Sequence, residues 1–422
     1  LHLHDLFFGT SMWNANPVCL DNPLYRLMTR KTNNRIAMLT DANDGQWLPN
    51  YWPTALYRFR NSGTASRATV AKYIDLWRYD NQAQFNTQYH LWESCIWLDD
   101  AVQPATTNFD KAFYFSGTGG NEALDFGVVT FRDAWALDGS DTVVLFHCGN
   151  AFSSKNQWTV GHLAIYKYGD LMVNQGGSET ELGHDSQGGS RVRWGDSSLS
   201  KNTISVSDPT VMLDEGQEYY LNTLVNGVPT NGGSNPLGSL PSANNADSVL
   251  VQHAVNAWPD VGTILRYETR QNHDYAAGNC KNAYRFGAGL SFPRLDQWTR
   301  EVAHINKKYV VVFDRVRSVN AAYIKRAYFH FILQPTMDGS QVSSVSTTQD
   351  GLGNRIECQV AGCSGSTEWD GKGWNVLSSQ SGSISSTGKL FARMVLPSAG
   401  ILRQRGGSGF ERWRHLSQLP LT

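Results

Sequence analysis

The chain has 422 residues, of which 41% are apolar and 17% charged, and its formal net charge is −1. That length exceeds one ordinary hydrophobic core and suits two domains, while the near-zero charge argues against a nucleic-acid binder working through a general basic field. With 39 glycines and 12% aromatic residues, the composition favours strands and turns over long helices.

Helical signals come first along the chain. Asn22-Pro23 opens a segment running to residue 30, with proline where a first turn tolerates it. Trp52-Pro53 opens a second over 54–61. Ser66 can cap a third over 66–79, where Val70, Tyr73, Ile74 and Trp77 fall at i, i+3, i+4 and i+7. A fourth, over 86–100, sets Tyr89, Trp92 and Ile96 on one stripe. From about residue 110 the period changes to two. The runs AFYFSG, LDFGVVTFRDAW, DTVVLFHCG and GHLAIYKYGDLMVN read as strands, followed by NTISVSD, SVLVQHAVNAW, TREVAHINKKYVVVFDRV, IKRAYFHFILQPTM, NRIECQVAG and KLFARMVLP. A long polar loop is expected over 227–247. The predicted fold is mainly β: a helical segment over 1–108 precedes a large antiparallel β-sandwich over 109–422.

The six cysteines (Cys19, Cys95, Cys148, Cys280, Cys358, Cys363) contain no CxxC pair, so neither a zinc ribbon nor a thioredoxin-type site is supported. Cys358 and Cys363 could close a local disulfide or remain buried thiols. No window reaches the roughly 18 apolar residues of a membrane span. A start at Leu1, without Met or a signal peptide, reads as a processed or incomplete product. The 14 Trp and 17 Tyr fit either stacking on sugar rings or filling a large core.

Three segments carry a family resemblance. VVLFHCGNAFSSKNQWTVGHLAIYKYGDLMVNQGG, over 143–177, resembles a glycine-containing strand end, a His-x-His-x-Asp-x-Gly loop and an F-x-I-Y-x-x-G strand. SKNTISVSDP resembles a His-Asn-Thr…Asp-Pro strand, and TREVAHINKKYVVVFDRV an Arg-x-Val…Tyr-x-Val-Val-x-Asp-Arg-Val strand. In this order they resemble the heparinase II/III-type polysaccharide lyases, over residues 110–335. The resemblance implies a partial α/α toroid ahead of the sandwich, with an acidic polysaccharide in the cleft between them. It also implies β-elimination: a base takes the C5 proton of a uronate, an acid protonates the leaving oxygen, and the neutralised carboxylate makes C5–H acidic. On it the strand from His162 to Asn174 is expected to floor a sugar-accommodating groove facing a helical wall.

The family's zinc-ligand positions are occupied here by Gln157, Asn174 and Lys201, so no cofactor is expected, and zinc only by analogy. Either Lys201 replaces the metal's charge and bonds the two amides, or the positions have drifted. His184 is the expected base, or a solvated loop histidine. Arg191 could clamp the carboxylate with Arg193, or both are surface charges. Tyr275 is the candidate acid. Lys155, Trp158, His90 and Trp92 are candidate substrate contacts, with core packing as the plainer reading of Trp92. His162 reads as a structural histidine sharing a face with Ala164 and Tyr166, and His147 lies near the same loop. Thr40 to Trp47 carries acids that could bind calcium without the full spacing of a calcium loop.

The function expected is that of a polysaccharide lyase, a carbon–oxygen lyase cleaving uronate-containing polysaccharide. The alternative is an inactive relative that binds glycan or serves a structural role outside the cytoplasm. A glycoside hydrolase would need paired carboxylates, and neither Asp99-Asp100 nor Glu179 with Glu181 has a distinguishing spacing. The partner expected is an acidic polysaccharide, with no nucleic acid and no membrane span, in a secreted or periplasmic location. Self-association into a homo-oligomer is left open.

Overall fold

Residues 295–318 alternate apolar and polar side chains, and in the computed structural model they form a long hairpin. The structure describes residues 110–116, 126–135, 140–149, 159–172, 198, 201–207, 262–286 and 292–330. It also describes short stretches at 25, 28–31, 35–36, 224–225, 228–229, 341–347, 354–359, 390, 392 and 401–404. Its strands are labelled here in chain order: β1 (Ala112–Phe115), β2 (Val128–Arg132), β3 (Val143–His147), β4 (Leu163–Tyr166) and β5 (Asp170–Met172). Then come β6 (Ile204–Ser207), β7 (Thr263–Thr269), β8 (His273–Asn279), β9 (Leu295–Ile305), β10 (Tyr309–Ser318) and β11 (Ile324–Ala327). Finally, β12 (Gln341–Thr347), β13 (Asn354–Gln359) and β14 (Ile401–Gln404) form a three-stranded sheet.

Two larger sheets carry most of the described core. Strands β1 to β5 form an antiparallel meander in chain order, and β7, β8, β9 and β10 form a second. Strand β6 pairs antiparallel with β11. The alternation in β9 is regular. Leu295, Trp298, Arg300, Val302 and His304 are buried, whereas Thr299, Glu301, Ala303 and Ile305 are half-buried. Asn306 and Lys307 take the chain round to β10 in the left-handed region, with φ of 51° and 54°.

The meander departs from the usual one-wet-face antiparallel sheet. Every residue of β2, β3 and β4 is buried. On one side Val129, Phe131, Val144, Phe146, Leu163 and Ile165 share a core with Ala276, Trp298 and Val302 of the second sheet. Phe131 stacks on Tyr267 across that seam at 6.5 Å between ring centroids. On the other side Val128, Val143, Leu145, Ala164 and Tyr166 join Met28 and Phe115, with Tyr25 packed against them. Arg132 is fully buried there, paired with Asp141 and donating to the Met28 carbonyl at 3.0 Å.

The described strands agree with the change to period two near residue 110. In the segment 22–30, Tyr25, Met28 and Thr29 are helical, with the Thr29 hydroxyl bonded to the Tyr25 carbonyl at 2.8 Å. Arg30 instead begins a strand pairing Arg30–Lys31 with Arg35–Ile36. The other three expected helices, and with them the toroid, lie outside the described residues. The expected loop over 227–247 begins with Val228–Pro229 paired to Leu224–Val225.

Candidate functional site

The three segments that carry the resemblance meet at one buried side chain. Arg300, on the inner face of β9, is fully buried. Its Nε and Nη2 donate to Asp314 Oδ1 and Oδ2 of β10 at 2.8 and 2.7 Å. Its Nη1 donates to the Gly161 carbonyl at 2.5 Å and the Asn202 carbonyl at 2.6 Å. The arginine of one segment therefore binds that segment's own aspartate and, at its far end, the backbones of the other two. Asn202 continues the joint: its Nδ2 donates to the Leu163 carbonyl at 2.6 Å, and its Oδ1 accepts the His330 backbone N–H at 2.5 Å. Thr203 Oγ1 donates to the Val160 carbonyl at 2.9 Å, and Tyr284 Oη to the Ile204 carbonyl at 2.5 Å.

Gly161 makes the close approach feasible. Its φ is +81°, and a Cβ there would sit 2.3 Å from Cη2 of the fully buried Trp298. The Trp298 indole N–H donates to Asp314 Oδ1 at 3.0 Å, so the same carboxylate fixes both the arginine and the indole.

Beside this joint lie His147, His162 and Lys201, all buried. The Asn202 backbone N–H donates to His162 Nδ1 at 3.1 Å, which puts the imidazole proton on Nε2. Burial first, and then the charge of Lys201, hold His162 well below the usual histidine range. Burial also pulls His147 down to about 4, against the opposing effect of the Thr159 and Phe126 carbonyls. Both imidazoles are neutral at neutral pH. The unfolded chain binds these protons from about pH 6.5 downward and the folded chain does not. The contribution of each to stability is therefore complete above pH 6.5 and is lost as pH falls below it, for His147 down to about 4. Unfolding free energy is expected to fall by about 1.4 kcal/mol per pH unit for each such histidine in that window. Urea titrations from pH 7.5 to 4.5 check this, with His147→Gln expected to flatten the profile. A profile flat in the parent protein would contradict the neutral-histidine assignment. Asp274 acts lower: burial pushes its carboxyl up, but the His304 imidazole 3.7 Å away and hydrogen bonds from Lys307 and Thr269 outweigh that and hold it below its ordinary value.

Of the sequence-derived site residues, Lys201 and Tyr275 are described. His184, Arg191, Arg193, Lys155, Trp158, His90, Trp92, Gln157 and Asn174 lie outside the described residues, as does the 40–47 loop. Lys201 is fully buried next to His162. A buried ammonium where the resemblance implies a zinc ligand, with amides at the other two such positions, is a donor set that does not fit zinc.

Tyr275 lies on β8 opposite Ala303, on the outer face of the second sheet. Its hydroxyl donates to Glu301 Oε2 at 2.9 Å, and Glu301 pairs with Arg315 at 2.8 Å. Burial and the bond to Glu301 push the phenol above its usual range, so it holds its proton at neutral pH. Arg300 points from the opposite face of β9, so Tyr275 and the buried joint are separated by the sheet. The expectation for the strand from His162 is corrected: His162 and the whole of β4 are buried between two apolar layers and do not floor a groove. Alternation favours a wet face, but covering from Tyr25 and Met28 closes it.

Sequence reasoning missed Arg300, Asp314 and Asn202 as individuals, although each falls inside a segment quoted for the resemblance, and it missed Trp298, which lies one residue ahead of the third segment. The available signal was spacing. Arg300 and Asp314 are 14 residues apart about a turn centred near Lys307, which makes them cross-strand partners.

No family model and no curated protein matches the chain. Among solved structures it is similar to the heparan sulfate lyase HepC from Pedobacter heparinus, at 15% identity, covering 91% of this chain and 45% of that one, with a TM-score of 0.42. A mutant of the same lyase gives 15% identity, 92% and 54% coverage and a TM-score of 0.41. A heparinase III gives 12% identity, 90% and 43% coverage and a TM-score of 0.36. The chain spans about half the length of the solved structures it matches.

Proposed function

We propose that this chain is a polysaccharide lyase-like protein that cleaves uronate-containing polysaccharide by β-elimination, outside the cytoplasm. The observation carrying the proposal is the joint at Arg300, where the three lyase-like segments become one buried structure. On this reading Arg300, Asp314 and Asn202 are the frame, and Lys201 contributes a fixed positive charge at a position where the family places a zinc ligand. Chemistry falls to residues beyond the frame. His184 takes the C5 proton, a double bond forms between C4 and C5 as the C4–O bond breaks, and Tyr275 is the proposed proton donor to the departing oxygen. Arg191, with Arg193, pairs with the uronate carboxylate, and Lys155, Trp158, His90 and Trp92 contact neighbouring sugars. No step passes through a metal.

A second reading, a glycan-binding relative without catalysis, is favoured by the substituted positions Gln157, Asn174 and Lys201. One experiment separates the two. The protein is incubated with alginate, heparin, hyaluronan, chondroitin or ulvan, and the near-ultraviolet absorbance of the unsaturated product is followed. The lyase reading expects a rise with at least one polymer, reduced on the order of 100-fold or more by His184→Ala. Binding to a polymer with no rise on any would establish the second reading. A rise unaffected by His184→Ala would remove that histidine as the base.

A further inference from the structure

Cys148 directly follows β3 of the first sheet and Cys280 directly follows β8 of the second. Both are thiols, both are fully buried, and their Sγ atoms lie 3.1 Å apart. A disulfide bond is about 1 Å shorter than that. Backbone holds each partner in place. The Cys148 N–H donates to the Gly127 carbonyl at 2.7 Å, and the Cys280 N–H to the Trp298 carbonyl at 2.9 Å. The sheets approach closely at this point because residue 278 is glycine. A Cβ there would fall 2.6 Å from both Cβ and Sγ of Cys148. The seam around them is apolar, with Phe146, Ala276, Tyr284 and Trp298 in the same core.

We propose that Cys148 and Cys280 form a disulfide that ties the two sheets together as the sandwich folds. The oxidant is a disulfide of the glutathione or protein-dithiol class. One cysteine thiolate attacks an oxidant sulfur, giving a mixed disulfide and releasing one oxidant thiol. The second cysteine thiolate then attacks the first cysteine's sulfur, forming the Cys148–Cys280 bond and releasing the second oxidant thiol. Two electrons pass to the oxidant, and the two protons lost by the cysteines end on its two thiols. Since both sulfurs are buried, the exchange occurs before the sheets close, and the folded dithiol reacts slowly. The bond joins positions 132 residues apart in the chain, a span over which cross-linking restricts the unfolded state strongly.

The test refolds the full chain in a reduced and oxidised glutathione mixture and, separately, in reductant, then alkylates it in denaturant and maps its peptides by mass spectrometry. The expected result is a linked pair of peptides containing Cys148 and Cys280, present only in the oxidised sample and dissolved by reduction. The oxidised protein is expected to melt on the order of 5 °C above a Cys148→Ala, Cys280→Ala double variant refolded in the same mixture. Full alkylation of both cysteines after oxidative refolding, or linkage of either one to another cysteine, overturns the proposal. The peptide map uses the parent protein, so the result stands even where the double variant does not fold.

Discussion

Arg300→Leu is expected to destabilise the fold by about 3–5 kcal/mol, the cost of breaking a buried ion pair from one side. Four hydrogen bonds go at once: two to Asp314 and one each to the Gly161 and Asn202 carbonyls. The side chain that replaces the guanidinium fills part of its volume, but it leaves Asp314 without its main counter-charge and two backbone acceptors unmet. Lysine at 300 is expected to recover little, since a point charge cannot span a carboxylate on one side and two carbonyls on the other. The Arg300→Leu, Asp314→Leu double variant should be less damaged than the two single losses summed, because the uncompensated charge is then gone. Urea unfolding of the four proteins measures this. A loss under about 1 kcal/mol for Arg300→Leu would mean that the joint is peripheral to the fold.

Gly161→Ala is expected to cost about 3 kcal/mol, an unusually large effect for a single added methyl group. Two penalties combine. The residue sits at φ +81°, where an L side chain is strained by about 1–2 kcal/mol, and its new Cβ would fall 2.3 Å from Trp298 Cη2 and 2.7 Å from Cζ2. The indole cannot retreat, since Trp298 is fully buried and its N–H is bonded to Asp314. Overpacking of that kind adds roughly 1–3 kcal/mol. Trp298→Phe removes the two colliding carbons, so the Gly161→Ala, Trp298→Phe protein should be more stable than additivity of the single changes allows. Thermal or urea unfolding across that cycle checks the coupling. Strict additivity would show that the strain lies in the backbone alone.

Much of the sandwich was legible in the residues. Strand-like runs foretold β1, β2 and β3, because alternation is imposed by the pleat itself. The runs over 162–174 and 299–316 each read as one strand and instead fold back as β4–β5 and β9–β10, turning at Tyr168–Gly169 and Asn306–Lys307. The wrapping of β4 was not legible, because alternation describes a strand and not what covers it. Tyr25 and Met28 lie more than a hundred residues upstream, and nothing local to 163–166 announces them. Arg300 was hidden for a different reason. A lone arginine in a strand reads as a surface charge until its cross-strand aspartate and the carbonyls beneath it are placed. The candidate chemistry at His184 and Arg191 rests on the sequence, whereas the frame behind it rests on distances.

A sheet that is dry on both sides has a consequence for where this molecule can change. The middle of β2, β3 and β4 offers solutes no surface, so any solute meeting these strands does so at their ends and not on their faces. Substitution at the strand ends can change the surface on offer while the beam between them stays the same, and a polar change within the beam alters only how firmly it stands.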